Sequence, residues 1–396
     1  MSTYAAMRPK KILIVSLAYF PRPVGGAEVA VKEITERTSD IEFHVLTHRF
    51  DPTLPREEKM GNVQVHRIGD GTSYLTKMLF VMRAAFAARR LHAEHHFDAA
   101  WAMMSYMSLP LMLVRMFGVR LPYVLSLQEG DPFEHVFRRP HIRIFAPLLR
   151  AGFKNASVIQ TISTFLAGWA KRAGFPGEPI VVPNGVDTET FAREYPAPVI
   201  DVIKQKLGKR PGDVFVVTTS RLVHKNALDV CIDAMIQLPG HVHFVVLGTG
   251  PLERALQEQT TNRKLHARVH FLGHVEHDEL PKYLKACDIF LRPSRSEGMG
   301  NSFVEAMAAG LPVIATQEGG LSDFIFDQKW NPDKPTTAWV VRKDSPDGIA
   351  RAVRDILEHP QKAQGVVAAA KHMVLQRFDW NLIAVAMRER VFARVL

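Results

Sequence analysis

Near its start the chain carries a short, unbroken apolar run, Ile12–Leu17. A run of this kind fits a parallel strand covered on both faces. It is followed by Gly25-Gly26-Ala27-Glu28 and an amphipathic stretch, Val29–Thr38, so the unit reads strand, glycine loop, helix. The alternation then repeats. Phe43–Thr47, Val63–Arg67, Ala99–Met103, Tyr123–Leu127, Val158–Thr161 and Ile180–Pro183 read as strands, with basic helices at Tyr74–His95 and Ile142–Lys154. Phe191–Pro211, with Pro196, Pro198 and Pro211 among charged residues, reads as a linker. Beyond it come strands at Val214–Thr219, His243–Leu247, Val269–Leu272, Ile289–Arg292 and Pro312–Ala315, and a helix near Ala227–Leu238. The tail, Trp380–Leu396, has an amphipathic helical pattern. The pattern predicts an α/β protein of two doubly wound Rossmann-like domains facing a cleft. Their expected bounds are 1–190 and 212–378, with a linker at 191–211 and a C-terminal helix at 379–396.

One stretch stands out, Ser294–Thr316, which reads SRSEGMGNSFVEAMAAGLPVIAT. Gly298-Met299-Gly300 is too permissive for regular structure and reads as a loop. Asn301 or Ser302 can cap a helix running to about Ala309, and Gly310 sits where the left-handed residue past its end belongs. A glycine loop opening onto a helix N-terminus presents unpaired N–H groups that suit oxyanions and sugar hydroxyls. Glu297 and Glu305 flank that turn. Two roles stand open for Glu305, because Ser302-x-x-Glu305 also fits a capping box that would serve only its own helix.

Composition narrows the picture. At 396 residues two domains are expected, and 47% apolar with 23% charged residues is the balance of a soluble globular protein. Cys231 and Cys287 are too few for a disulfide framework and point to a reducing compartment, so a cytoplasmic location is expected. Tyr19, Phe20 and Pro21 end the first apolar run without a small-residue cleavage site, which argues against a signal peptide. Ala99–Phe117 contains Ser105, Ser108, Pro110 and Arg115, so it reads as strand, loop and helix rather than a membrane span. The net charge of +10 is uneven: no acid lies between Glu134 and Glu178, while Arg138, Arg139, Arg143, Arg150, Lys154, Lys171 and Arg172 do. Such a run is a solvated face or a surface for an anionic acceptor or the inner face of an anionic membrane. Nucleic acid is disfavoured, since no aromatic interleaving accompanies the charge. His92, His95 and His96 lack a matching ligand set elsewhere in the chain and read as solvated helix-end residues, so no metal is expected.

Six short motifs then occur in order: Pro183-Asn184-Gly185-Val186-Asp187; Ser220-Arg221-Leu222 with Lys225; Gly248-Thr249-Gly250-Pro251; Phe271-Leu272-Gly273-His274-Val275; Ser296-Glu297-Gly298 through Glu305-Ala306-Met307-Ala308-Ala309-Gly310; and Gly319-Gly320. Together they closely resemble the retaining, GT-B-fold glycosyltransferases known as glycosyl transferases group 1. In the first half Gly25-Gly26-Ala27-Glu28 is the best match.

The resemblance implies transfer of a hexose from a nucleoside diphosphate sugar to a hydroxyl of a glycan or lipid-linked acceptor, with retention and no cofactor. Arg221 and Lys225 resemble the basic pair on the donor diphosphate. Glu297 resembles the acid holding hydroxyls of the transferred sugar, assisted by N–H groups of Gly298, Met299, Gly300 and Asn301. Glu305 resembles the acid on the ribose hydroxyls, and Gly25 and Gly26 the loop of the acceptor-side domain that closes over the diphosphate. Two departures stand out. Gln128-Glu129-Gly130-Asp131 replaces the histidine many relatives carry after the strand corresponding to Tyr123–Leu127, leaving Asp131 as a candidate cleft residue. Asn226 stands where a glycine usually follows the lysine, and Asn tolerates left-handed geometry. The alternatives are a GT-B enzyme of other chemistry, such as a sugar-nucleotide epimerase, and a silent glycan-binding module. Retention of Arg221, Lys225, Glu297 and Glu305 together weighs against both.

Overall fold

A computed structural model describes residues 8–21, 24–137 and 140–396 of the chain. It divides into two compact units, one formed by the described residues up to Asn184 with Trp380–Leu396, the other by Gly185–Asp379.

The first unit is built on eight strands: β1 (Lys10–Val15), β2 (Ile41–His48), β3 (Glu57–Met60), β4 (Val63–Ile68), β5 (Ala99–Met103), β6 (Tyr123–Leu127), β7 (Val158–Thr161) and β8 (Ile180–Val181). Their order is β3-β4-β2-β1-β5-β6-β7-β8. All neighbours are parallel except β3, which runs antiparallel to β4. Helices cover both faces, which is why β1, β5 and β6 are apolar along most of their length. Trp101 on β5 is fully buried and donates its indole N–H to Ser126 Oγ at 2.7 Å. The C-terminal tail belongs to this core: Phe392 lies against Trp101 and Phe43, at ring separations of 5.1 and 6.0 Å. Burying a side chain of that size contributes about 1.5–3 kcal/mol, which fastens the tail to the sheet.

The second unit has six parallel strands: β9 (Val214–Thr219), β10 (Val242–Leu247), β11 (Val269–Gly273), β12 (Ile289–Arg292), β13 (Val313–Ala315) and β14 (Trp339–Val340). The order β11-β10-β9-β12-β13-β14 reverses direction between β9 and β12. In doubly wound sheets that reversal opens a crevice at the carboxyl ends of the two strands, where ligands bind.

The two doubly wound sheets expected from the alternation are therefore present, and the helix Tyr74–His95 and strands such as Tyr123–Leu127 have the expected bounds. Three details differ. The stretch 191–211 is not a bare linker, because Ala197–Leu207 is helical and packs on Leu280–Ala286, with Lys206 Nζ 2.6 Å from Tyr283 Oη. Pro196 and Pro198 start that helix, where a missing N–H costs nothing. The tail is helical but interrupted, passing from an α-helix at Trp380–Ala386 to a π-turn at Met387–Val391 and a 3-10 turn at Phe392–Arg394. The first helix begins at Gly26, not Val29, since Glu28 turns back to cap it. Within the basic run 135–177, Arg138 and Arg139 lie outside the described residues. Two of its other cations are met by acids at its borders, Lys171 by Glu178 at 2.8 Å and Arg172 by Glu134.

Candidate active site

The reversal between β9 and β12 gathers the charged residues of the second unit. Ser220 and Arg221 leave β9, and two glycines hold them there. Gly248 has φ 141°, and a Cβ on it would fall 1.9 Å from the Ser220 carbonyl oxygen. A Cβ on Gly250 would fall 2.5 Å from the Leu222 oxygen. The backbones meet directly, and Leu222 N–H donates to the Thr249 oxygen at 3.0 Å. The Arg221 side chain is exposed and forms no hydrogen bond or ion pair among the described residues.

Lys225, half-buried, sits in the short 3-10 turn His224–Asn226. Here the expectation for Asn226 needs correcting. The left-handed residue is Ala227, at φ 55°, while Asn226 donates its side-chain N–H to the Arg221 oxygen at 2.7 Å. The side chain thus ties both ends of the turn. Arg295 braces the same turn from β12's side. It binds both Asp229 oxygens, at 2.9 and 2.6 Å, and the His224 oxygen at 2.7 Å, while its own N–H reaches the Lys225 oxygen. Asp229, with Asp344 at 2.6 Å from Nε, holds its guanidinium above the ordinary range.

Glu297 follows β12 and is buried against Arg292, Nη2 to Oε2 at 2.8 Å. Arg292 closes an otherwise apolar strand, lies over the Phe303 ring at 4.3 Å and donates to the Thr219 oxygen. Burial pulls its guanidinium below the usual range, and Glu297 and Glu305 push it back up. The backbone of Glu297 is gripped as well: Gly320 N–H donates to its oxygen at 3.0 Å, and a Cβ on Gly319 would come within 2.1 Å of that oxygen. Gly298 follows, its N–H 3.1 Å from Glu297 Oε1.

The helix Asn301–Ala308 is capped by neither Asn301 nor Ser302. Its N-cap is Gly300, at φ 84°, where a Cβ would collide with Phe303 and Arg292. No side-chain cap forms, and Ser302 Oγ is buried without a partner. The capping-box role for Glu305 is thereby removed. Its carboxylate instead meets His277 Nε2 at 3.2 Å, and the His277 ring packs on Phe191. Gly310 takes the left-handed position past the helix end, φ 83°. The Met299 side chain is buried, so what it presents to a ligand is backbone.

Around these charges several buried polar atoms lack protein partners: the hydroxyls of Thr218, Thr219, Ser220, Ser294 and Ser302, Asn226 Oδ1 and Arg292 Nε. An unmet buried polar group costs about 1–3 kcal/mol, so these atoms are a local cost to stability carried around the ends of β9 and β12. A separate cavity of 1060 Å³, lined by Trp330, Trp339, Arg342 and Arg351, lies by β14 and contains none of these groups.

The family described as Glycosyl transferases group 1 matches residues 199–373, and Glycosyltransferase Family 4 matches residues 24–190. Residues 199–373 match the glycosyl transferases group 1 family, and with the match over residues 24–190 the chain is a glycosyltransferase. It is similar to the GDP-mannose-dependent alpha-(1-6)-phosphatidylinositol monomannoside mannosyltransferase of Mycolicibacterium smegmatis, 28% identical over 331 residues, covering 81% of this chain and 82% of that protein. Among solved structures, sucrose-phosphate synthase from Thermosynechococcus elongatus superposes with a TM-score of 0.84 at 19% identity, over 97% of this chain and 99% of that one. Anabaena HepE in complex with UDP-glucose gives 0.76 at 22% identity, over 97% and 99%. These likenesses establish the GT-B fold.

In the first unit of this glycosyltransferase, Gly25 is the N-cap of the helix Gly26–Glu36. Its N–H is already taken, donating to Glu28 Oε2 at 2.7 Å. Burial raises the Glu28 carboxyl above its ordinary range. Asp131 is half-buried in the bend after β6. The more deeply buried acid of that segment is Glu129, which accepts from Ser105 N–H at 2.6 Å and from Ser105 Oγ. Gln128 and Asn184 exchange side-chain amide hydrogen bonds at 3.1 and 2.9 Å, giving the asparagine of the Pro183-Asn184-Gly185 motif a local structural use. Arg292, Arg295 and His277 were not singled out from sequence. The signal available for Arg292 was a lone charge ending an apolar strand.

Proposed function

We propose that this glycosyltransferase moves a hexose, mannose first among those to test, from a nucleoside diphosphate sugar to a hydroxyl of a lipid-linked acceptor, with retention at the anomeric carbon. The observation that carries the donor half is the strand-end arrangement: solvent-facing Arg221 beside Lys225, two buried carboxylates, and hydroxyls without internal partners. In this reading Arg221 and Lys225 meet the diphosphate and stabilise the charge that develops as it leaves. Glu297, oriented by Arg292, accepts from hydroxyls of the transferred sugar, with the N–H groups of Gly298 to Asn301 beside it. Glu305, with His277, accepts from the ribose hydroxyls. The acceptor oxygen attacks the anomeric carbon on the face the phosphate leaves, and the departing phosphate oxygen takes the acceptor proton. One carbon–oxygen bond forms as another breaks.

The acceptor half is supported by the first unit's surface. The helix Tyr74–His95 leaves Tyr74, Leu75, Met78, Leu79, Met82 and Phe86 exposed. Phe86 stacks on exposed Phe117 at 5.5 Å. Lys77, Arg83, Arg89 and Arg90 lie on the same helix, and no acid occurs from Gly71 to Ala93. Apolar side chains flanked by cations suit an anionic lipid surface, where each Lys or Arg contributes on the order of 1 kcal/mol. Among the described residues no helix is long and apolar enough to cross a membrane, so the contact proposed is peripheral.

Incubation with a panel of nucleotide sugars, scoring slow hydrolysis and then transfer to a lipid-linked acceptor, tests the reading. One preferred donor and a product of retained anomeric configuration are expected. Hydrolysis of none, or an inverted product, overturns it.

A further inference from the structure

Three histidines distant in sequence meet on one face of the first unit's sheet. His44 lies on β2, and His66 lies on β4 opposite Leu46, so the two side chains point to the same face. Glu42 and Glu57 share that face, two residues before His44 and directly opposite His66 on β3. The helix Tyr74–His95 packs over these strands and brings its last residue, His95, onto the pair. The His44 and His95 ring centroids are 4.4 Å apart, and the His44 and His66 rings stack within 8° of parallel. One nitrogen from each of the three rings falls within 4.8 Å of the others.

The hydrogen bonding of the pair is awkward without a cation. His44 Nε2 is 2.8 Å from Glu42 Oε1. A carboxylate only accepts, so that nitrogen carries the proton and His44 Nδ1 presents a lone pair. This lone pair faces His66 Nε2 at 3.0 Å. If His66 Nε2 carries the second proton, His66 Nδ1 is left bare, buried and unpartnered, 3.5 Å from the Glu57 carboxylate. If His66 Nδ1 carries it, two lone pairs oppose each other across 3.0 Å. Either arrangement sets negative density against negative density.

We propose that His44, His66 and His95 form a binding site for a divalent transition metal ion of the zinc type, with Glu42 and Glu57 orienting the outer ring nitrogens. Imidazole ligands suit zinc, nickel and copper, and carboxylates on the far nitrogens are the usual second support of such ligands. Tetrahedral zinc with bonds of about 2.0–2.1 Å sets its ligand nitrogens roughly 3.3 Å apart. The His44–His66 pair is already close to that spacing. His95, partly exposed at the helix end, is the ligand that adjusts. Lys11, the nearest cation to Glu42, is engaged with it at 3.1 Å. A bound ion would pin the end of the helix Tyr74–His95 to β2 and β4, and it takes no part in the proposed transfer.

The second unit contains an internal control. His243 Nδ1 lies 3.1 Å from His270 Nε2 in a similarly stacked pair, with Asp213 3.8 Å from the outer nitrogen of His243. There the neighbouring ring is Phe215, and among the described residues no third histidine joins. Full-length protein without a histidine tag, stripped with a chelator, is titrated with zinc by calorimetry and with cobalt by visible absorption. The expectation is one ion per chain, cobalt bands of a low-symmetry site and a raised melting temperature. His95→Ala, at a helix end rather than in the core, should weaken binding at least about tenfold, and Glu42→Gln by about the same factor. His243→Ala and His96→Ala should bind as the parent does. No binding under excess zinc, unchanged binding by His95→Ala, or loss of binding in His243→Ala overturns the site.

Discussion

The two units place the same feature, a reversal of strand order, at the carboxyl ends of β1 and β5 in one and of β9 and β12 in the other. They finish it differently. In the first, local residues satisfy one another: Ser16 Oγ donates to the Ala18 oxygen, Gly25 N–H to Glu28, and Ser105 to Glu129. In the second, the hydroxyls of Thr218, Thr219, Ser220, Ser294 and Ser302 find no protein partner, and Arg221 makes no ion pair among the described residues. A shared topology therefore opens two crevices of unlike character. The one with unmet polar groups is where the proposed function puts the donor's hydroxyls and phosphate oxygens. The other contributes Gly25, whose N–H is already taken by Glu28.

The sharpest way to break this contrast is to compare two arginines of the second unit. Arg292 is buried and holds Glu297, so Arg292→Ala leaves an uncompensated buried carboxylate and should cost about 3–5 kcal/mol in denaturant unfolding. Arg221 is exposed and should cost little stability when replaced. Arg221→Ala, like Lys225→Ala, should instead lower turnover at least about tenfold, from lost charge stabilisation of the leaving group. Full activity in both Arg221→Ala and Lys225→Ala would remove the diphosphate assignment.

Glycines sharpen it next. Gly248→Ala would set a methyl 1.9 Å from a backbone oxygen at a positive φ, and should lose roughly 1–3 kcal/mol together with donor affinity. Gly25→Ala meets only the end of the Glu28 side chain, at 3.1 Å and in an extended backbone, so a cost under about 1 kcal/mol is expected. Thermal unfolding of both variants measures the difference. Equal losses would mean that the first unit's loop is as tightly constrained as the second's.

The carboxylates divide on a finer scale. Glu305→Gln should keep its stability and bind free nucleotide more weakly, because no cap is lost. Glu297→Gln should reduce turnover and leave free-nucleotide binding nearly intact. Calorimetric titration of nucleotide against both variants decides it, and equal losses of affinity would sink the division of roles.

What sequence disclosed and what it hid follows physical lines. Strands covered on both faces are continuous apolar runs, so β6, β7, β9 and β12 were read with their full bounds. Gly310 was legible because a helix end at that point demands a left-handed residue. The N-cap was not. Gly300 is fixed by the close approach of Phe303 and Arg292, a tertiary constraint that outweighed the Ser302-x-x-Glu305 spacing. Ala227 in the left-handed region is a similar case, since Asn226 was the residue expected there. The two-residue β14 is too short to show a period, and four-residue β3 reads EEKM, without an apolar face. Arg292, as a charge ending a strand, looked like a boundary rather than the partner of Glu297. The histidine trio was invisible because strand register, not spacing, brings His44 and His66 to His95.

The smallest expected effect concerns pH and returns to the Gly25 N–H of the first unit. Burial raises the Glu28 carboxyl above its ordinary 4.5, against the pull of the Gly25 and Glu28 N–H groups. A carboxyl raised on folding contributes stability that is fully present below its unfolded value and is lost as pH rises through the folded one. The parent should therefore lose a little stability as pH climbs from 4.5 towards neutrality. Glu28→Gln keeps an oxygen for the Gly25 N–H and carries no ionisable proton. The melting temperature of Glu28→Gln minus that of the parent should then increase across the same range, each measured at a series of pH values. A difference that stays constant with pH would mean that Glu28 titrates as it does in the unfolded chain. The Glu28 carboxyl would then be no more constrained at the Gly25 N–H than in the unfolded chain, and much of the contrast between the two strand-end sites would disappear.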